Sequence, residues 1–518
     1  MKAIKWRLLS RRIRRWLVAT LNTGQRLSHR QTVLISLLIF LVSFSIKSLV
    51  AVDLSPVMHT PAQPGGGMTS ELDARAVSIA GGHGLLFPDS HDPADTSLLA
   101  HAPGYPVFLG AIYSTLGRSY FKVQLIQNVL NSFAPVLTFL IAGMLLGWRV
   151  GAVAGLLASA SHHFSYYSNI VLPDSICALP ILGALYCLAV AERRHRKQLL
   201  LYGLAGFLIG ASIWLRPNAL AMAPFLGMCL LATSHRFRQT AARAGVMTIA
   251  AVLTVTPITL RNYLLYGELV LVRIGVGIVL WEGMGEYGGG QFGAVVSDVE
   301  VAQQEALFYN EPSYADTWQT PDGIKRDRDR VRRGLAVIRE HPFWFSRTVI
   351  QRMGEMFDYT AQAPLVFRSS DAKLREAGAE ARRLEMERKA GRRGRPVRAA
   401  DDSDMSAGHS LAIGHGISWA RPALRALQRI VKETLLLFIL IGAPVVFLAS
   451  RRRALFILMV PLYYLLAQGL LHTEFRYTIP MHYFVFVFAA VTWVLIGAVI
   501  SAAVNRVFIK SKVNGRAL

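Results

Sequence analysis

Residues 31–52, QTVLISLLIFLVSFSIKSLVAV, carry a single charged side chain, Lys47. A bilayer's hydrocarbon core takes roughly 20 apolar helical residues to cross, so the stretch reads as a membrane span. The 30 residues ahead of it hold nine basic side chains and no acid. A basic leader before an apolar run can be a cleaved signal peptide, but this leader is long, Lys47 interrupts the run and more apolar blocks follow. A retained anchor is expected, with Lys47 near its outer end and its amine reaching to the interface.

Further apolar blocks lie at 122–146, 150–167, 170–190, 199–215, 218–233, 244–260, 431–449, 454–471 and 479–503. Of the 518 residues 53% are hydrophobic and 17% charged, whereas a water-soluble domain carries about 25% charged residues. The formal net charge of +24 raises the question of a nucleic-acid partner, and its placement answers it. With ten spans, the segments 1–30, Arg149, 192–197, 236–243, 451–453 and 506–516 fall on one side and together carry +23. On the other side, 53–122 has three basic and six acidic residues, and 261–430 has 25 basic and 22 acidic. Short basic loops mark the cytoplasmic side. Both termini are therefore expected in the cytoplasm of a multi-pass protein of the plasma (inner) membrane, with no nucleic acid as partner. Cys177, Cys187 and Cys229 lie inside apolar blocks and read as small buried hydrophobes.

The organisation that follows is a basic cytoplasmic leader (1–30), a transmembrane core of seven spans (31–260) with an outer loop at 53–121, a long outer-face segment (261–430), three C-terminal spans (431–503) and a cytoplasmic tail (504–518). In the first outer loop a helix is expected from Ser70, because Leu72, Ala76 and Ile79 recur at helical spacing. Residues 107–116 form an apolar run too short to span, suited to an interfacial or re-entrant helix. In the second outer segment, 269–281 holds Arg273 among β-branched residues and reads as extended, and 324–340 reads as a charged helix. His341-Pro342 opens another helix, on which Trp344, Phe345, Val349, Met353 and Met356 oppose Arg347, Gln351 and Arg352, an interface-lying pattern. Residues 368–410, rich in Arg, Glu, Gly and Ala, are expected to be partly disordered.

The chain has no phosphate-binding glycine loop, no HExxH, no CxxC and no GxSxG. The informative residues are lone charges and Pro-Gly turns at the outer ends of spans. Asp73, in Ser70-Glu71-Leu72-Asp73, reads two ways. It is either the acid of a capping box or a carboxylate held above the membrane to take a proton from an incoming nucleophile. Glu71 is its rival for the second role. Asp174 follows Pro173 at the outer end of the fourth span, where a helix start also favours a carboxylate. Arg216-Pro217, Arg261-Asn262 and Glu474-Phe475-Arg476-Tyr477 close or join spans on the same face. One such arginine is an interface anchor. Three arginines and two acids, on the face where positive charge is not called for, suit a phosphate, which the guanidinium fork binds by paired hydrogen bonds. The run His101-Ala102-Pro103-Gly104-Tyr105-Pro106 makes a rigid turn that aims His101 and Tyr105. No third ligand accompanies His162-His163 or His341, and no metal or other cofactor is assigned.

Taken in order, these features resemble the bacterial family 39 glycosyltransferases of the C-type superfamily, which includes the aminoarabinose transferases and the protein O-mannosyltransferases. The matching pieces are Asp73-Ala74-Arg75 with Ile79-Ala80, Ala102-Pro103-Gly104-Tyr105-Pro106, Leu172-Pro173-Asp174-Ser175 and Leu215-Arg216-Pro217. They continue with Thr256-Pro257 leading to Arg261-Asn262-Tyr263, Leu280-Trp281-Glu282-Gly283, His341-Pro342 and Arg476-Tyr477 with Pro480, and cover about residues 30–500. The resemblance implies an all-α integral membrane fold of about ten transmembrane helices with two long outer-face loops. It implies an inverting enzyme that moves a hexosyl- or pentosyl-type sugar from a polyprenyl-phosphate donor to a lipid, glycan or protein acceptor on the outer face. The partners are then the lipid-linked donor, the acceptor and membrane lipids. The implied catalytic acids are Asp73, as base, and Asp174, as an orienting group. Arg216, Arg261, Arg476 and His101 are candidates for the donor phosphate, and Tyr105, Glu282 and Glu71 for substrate binding. Relatives carry adjacent acids where this chain has Leu72-Asp73, so both Asp73 and Glu71 stand as candidates for the base. They also carry an aromatic residue at Ala76 and a basic one at His101.

A multi-span transporter or lipid flippase is the alternative from another class. It would place charged residues near the bilayer midplane, whereas here they gather at one face. An inactive, scaffold-like relative would lack the first-loop acid.

Overall fold

Inside a bilayer an open backbone must satisfy its own hydrogen bonds, and every long element among the described residues is a helix. The computed structural model describes residues 27–55, 58, 65–84, 92–193, 197–288, 290–357, 420–472 and 474–514, with side chains to 505. Most of the basic leader, the segment 368–410 and the end of the tail lie outside the described residues. The helices are α1 His29–Leu54, α2 Gly66–Ala80, α3 Gly104–Leu116, α4 Tyr120–Leu146, α5 Trp148–Ala160, α6 His162–Tyr167, α7 Ala178–Arg193, α8 Gln198–Leu215 and α9 Met222–Ala232. They continue as α10 Phe237–Tyr266, α11 Val276–Gly288, α12 Asp298–Tyr309, α13 Gly323–Glu340, α14 Pro342–Glu355, α15 Ala420–Ala449, α16 Arg451–Gly469 and α17 Ile479–Asn514. Six of them (α1, α4, α8, α10, α15 and the helix ending the chain) are long and apolar enough to cross a membrane, so the protein is a multi-pass membrane protein.

Of the ten expected spans, six are helices of that length and apolarity among the described residues, and three of the other four blocks depart from a single long helix for identifiable reasons. The block 150–167 breaks at Ser161, whose side chain accepts from the Phe164 N–H and starts α6. The block 170–190 is helical only from Ala178. Its irregular start is stitched to α4: Gln124 donates to the Asn169 carbonyl, and Gln127 to those of Ser168 and Ile170. Non-helical backbone is tolerated at such depth where protein side chains replace the missing bonds. The block 218–233 opens with a 3₁₀ turn at Pro217 and leaves only the short α9. Lys47 does not reach to the interface; it is fully buried and donates to Ser43 on its own helix.

Packing between spans relies on close backbone approach at small residues. On α8, Gly206 and Gly210 face α10, where a Cβ at Gly206 would run into the Met247 carbonyl oxygen and one at Gly210 into Thr254. Gly442 of α15 lies equally close to the Phe488 carbonyl on α17. The α17 run from Met481 to Val491 is buried throughout, whereas one flank of α10 (Ile249, Val252, Leu253, Leu260) is exposed, as a lipid-facing helix would be.

The outer segments build a second apolar core around Ile274, Ile278, Trp281, Met284, Val301, Trp318 and Phe345, joined by Leu99 of the first loop. The extended reading of 269–281 holds only to Gly275. Helix α11 begins at Val276 because Asp327, from α13, accepts from the N–H groups of Gly277 (2.9 Å) and Ile278 (3.3 Å), satisfying donors that a helix start leaves unpaired. Fully buried Glu305 accepts from Arg326 (2.8 Å) and Arg330 (2.7 Å), which clamps α12 to α13. Arg352, expected on the polar face of α14, is instead buried and donates to the carbonyls of Gly283 and Gly469. It thereby ties α14 to both α11 and α16.

Candidate functional site

The segment between α1 and α4, the segment between α10 and α15 and the adjoining ends of α8 and α17 meet around a cavity of about 410 Å³. Glu71, His101, Tyr105, Arg216, Glu282 and Arg476 all line it, although they are spread over four hundred positions of the chain. Arg273, Asp298, His472, Glu474 and Tyr477 complete its polar wall.

One end is built for an anion. Arg216 follows the last residue of α8 in extended backbone and ion-pairs with Asp174, which is almost wholly buried. Its guanidinium carbon lies 4.1 Å from the Tyr477 ring centre, and that of Arg476 lies 5.4 Å from the same ring. Glu474 accepts from Arg476 (2.5 Å) and from the Tyr477 hydroxyl (3.0 Å). Burial disfavours the Glu474 charge, yet the Arg476 charge and these hydrogen bonds hold its carboxyl below the usual range. Each arginine is thus fixed by a carboxylate, and the Nε of both has no hydrogen-bond partner among the described residues. Buried donors left unpaired in this way suit an oxygen-rich anion. Arg273 donates to the Ala100 carbonyl (3.1 Å) and adds a third guanidinium to the wall. Sequence reasoning used Arg273 only to argue against a span; an arginine kept inside an apolar, β-branched run was the available signal.

The other end holds the titratable side chains Glu71, His101 and Glu282. Glu71 and His101 are hydrogen-bonded at 2.8 Å. That bond outweighs partial burial and sets the Glu71 carboxyl below its ordinary pKa. Burial lowers His101, and the Glu71 contact only partly offsets this. Glu282 is buried, and its carboxyl is pushed up to about 9, first by burial and then by the neighbouring Asp298.

Three predicted site residues stand back from the cavity lining. Helix α2 starts at Gly66, with Gly65 as its cap. Ser70 is therefore interior and the capping-box reading of Asp73 is overturned. A helix turns about 100° per residue, so residues two apart point to opposite sides. Asp73 faces α3, accepting from the Tyr113 hydroxyl (2.6 Å) and from Arg118 (2.7 Å). Asp174 acts behind the wall through Arg216. Arg261 is buried within α10 and donates to the Asn262 side chain (2.9 Å); Asn262 in turn donates to the carbonyls of Val270 and Val272. That pins the strand-like run carrying Arg273. Tyr105 reaches the wall while its hydroxyl donates to Gln127.

Two further cavities adjoin the polar one in succession. The polar cavity shares Arg216, Arg273, Val279 and Tyr477 with a second cavity of about 410 Å³. That one shares Leu220, Leu269 and Leu271 with a third of about 480 Å³, lined by Ile213, Pro224, Val252, Val255, Leu260 and Tyr263. An apolar groove beside α8 and α10 thus adjoins the intermediate cavity, which in turn adjoins the arginine end of the polar one.

The resemblance read from the sequence is borne out over residues 100–259, which match the family model of the dolichyl-phosphate-mannose-protein mannosyltransferases. That interval includes His101, Tyr105, Asp174 and Arg216. No curated protein matches the chain. Among solved structures, the oligosaccharyltransferase of Archaeoglobus fulgidus, in complex with Zn and sulfate, is 12% identical with a TM-score of 0.47, over 90% of this chain and 51% of that one. The same organism's AglB, with an inhibitory peptide and a dolichol-phosphate, is 14% identical with a TM-score of 0.46, over 91% and 52%. ArnT from Cupriavidus metallidurans, bound to undecaprenyl phosphate, is 13% identical with a TM-score of 0.35, over 89% and 78%. The chain spans about half the length of the oligosaccharyltransferases it matches.

Proposed function

We propose that this protein is a membrane glycosyltransferase that moves a sugar from a polyprenyl-phosphate donor to a lipid, glycan or protein acceptor at the outer face of the plasma membrane, with both termini in the cytoplasm. The observation that carries the reading is the succession of three adjoining cavities, sharing lining residues, from an apolar groove to an arginine-lined cavity. It suits a ligand with a long hydrocarbon chain, a phosphate and a polar head. The prenyl chain lies along α8 and α10, the phosphate against Arg216, Arg273 and Arg476, and the sugar toward Glu282 and Tyr105. The acceptor's oxygen or nitrogen attacks the anomeric carbon and forms the new bond. The bond from that carbon to the phosphate oxygen breaks, its electron pair leaves with the lipid phosphate, and the configuration inverts. Negative charge grows on the departing phosphate, so arginines held in place beforehand by Asp174 and Glu474 stabilise the transition state. The acceptor's proton passes to Glu71, which His101 orients. Asp73, the other first-loop acid, holds α2 onto α3 through Tyr113 and Arg118.

The test is mass spectrometry of envelope lipids and glycans from cells with and without the gene, paired with the purified protein in vesicles. A sugar-bearing species that disappears without the gene is the expected result. Unchanged glycans, together with protein-dependent movement of a polyprenyl phosphate across the vesicle bilayer, would assign a flippase instead.

A further inference from the structure

A separate polar cavity of about 270 Å³ opens at the opposite ends of the same helices, where α7, α8, α9, α10 and α16 come together. Three arginines, Arg236, Arg243 and Arg452, line it against one carboxylate, Glu192. Glu192 is taken by Arg452 at 2.5 Å, and neither Arg236 nor Arg243 has an ion-pair partner among the described residues. Phe456 and Met459 form part of an apolar floor. Uncompensated guanidinium groups around a small hollow call for a compact anion with several oxygens, and phosphate fits that fork best.

The surroundings say which phosphate. Leu199, Met228 and Phe237 are each adjacent in the chain to a lining residue and are all exposed. The hollow therefore sits at the border between the charged loops and the hydrocarbon-facing surface. A ligand with an anionic head and acyl tails satisfies both, and basic pockets between spanning helices on the positive side suit such headgroups. We propose that this cavity binds the phosphate of an anionic phospholipid from the leaflet facing the basic loops. The bound lipid ties α16 to the α7–α10 bundle and is independent of the outer-face site.

The test uses the full chain, with native mass spectrometry and thermal unfolding in phosphatidylglycerol against phosphatidylcholine. Wild type should retain phosphatidylglycerol selectively and unfold at a higher temperature in its presence. The double variant R236Q/R243Q should bind it about tenfold or more weakly. The double variant R451Q/R453Q changes charge equally on the same face but outside the cavity, and should bind it as wild type does. Equal retention of both lipids by wild type overturns the proposal without relying on any variant. Equal loss in both double variants overturns it too, since the attraction would then be diffuse. If inorganic phosphate alone reproduces the stabilisation in lipid-free detergent, the ligand is a soluble phosphate and the lipid assignment fails.

Discussion

Glu71 and Asp73 are two positions apart, yet they make different contacts because successive helical residues turn by about 100°. Glu71 faces the cavity with His101, while Asp73 is buried between Tyr113 and Arg118. Glu71→Gln should therefore lower sugar transfer by about 10²–10⁴, the usual worth of general-base help, with thermal unfolding nearly unaltered. Asp73→Asn weakens one buried hydrogen bond, from Tyr113, and one part-buried, charge-assisted bond from Arg118, and should cost about 1–2 kcal/mol of stability. Full turnover in Glu71→Gln beside a large rate loss in a stable Asp73→Asn would exchange the two roles. Glu282 makes a separate prediction. Folded, it keeps its proton up to about pH 9, whereas the unfolded carboxyl loses it near its ordinary 4.5. Between those values the folded state binds more protons, so stability falls as pH rises. Glu282→Gln should flatten that slope, matching wild type at about pH 5 and unfolding at a higher temperature at about pH 8. Parallel melting curves across the range would show that the carboxyl is not held protonated.

The spans themselves were legible wherever a helix is long and predominantly apolar, as in α1, α4 and α10. They were not legible where side chains from a neighbour repair a broken backbone, as Gln124 and Gln127 do for Ser168–Ile170. Hydropathy counts apolar residues and is blind to such repairs. The contact of α8 with α10 depends on a similar local detail. Gly206→Ala places a methyl group against the Met247 carbonyl and should cost about 1–3 kcal/mol through overpacking. Gly245, on α10, has open space around its missing Cβ. Gly245→Ala should stabilise by roughly 0.4–1 kcal/mol, since alanine narrows the unfolded ensemble. Thermal melts of the two variants in one detergent provide the comparison, and equal melting points would remove close backbone contact as the reason for Gly206.

Across the molecule, charge divides the polar segments into a strongly basic set of short loops and two nearly balanced long ones. If that sets orientation, a cysteine replacing exposed Glu340 on α13 should react with an impermeant thiol reagent in intact cells. One replacing exposed Arg238, between α9 and the body of α10, should react only after lysis. Cys177 and Cys187 are buried, whereas Cys229, expected to be buried too, is partly exposed and is replaced by Ser in both variants. Labelling at Arg238→Cys with protection at Glu340→Cys would invert the topology.

Helical membrane class, the grouping of basic loops and the family resemblance were all readable from the chain alone, because each sums over local properties: apolar length, charge and short motifs in order. The composition of the site was only partly readable. Arg216, Arg476 and His101 were found because they stand at turns and span ends, and Glu282 through the motif that carries the resemblance, but nothing local joins them to Arg273 or separates Glu71 from Asp73. Those outcomes depend on the rotation of α2 against α3, and on Asn262 fastening the run 269–275 beside the end of α8. Rotation and docking are decided by contacts between residues up to several hundred positions apart, and such contacts exist only once the chain has folded.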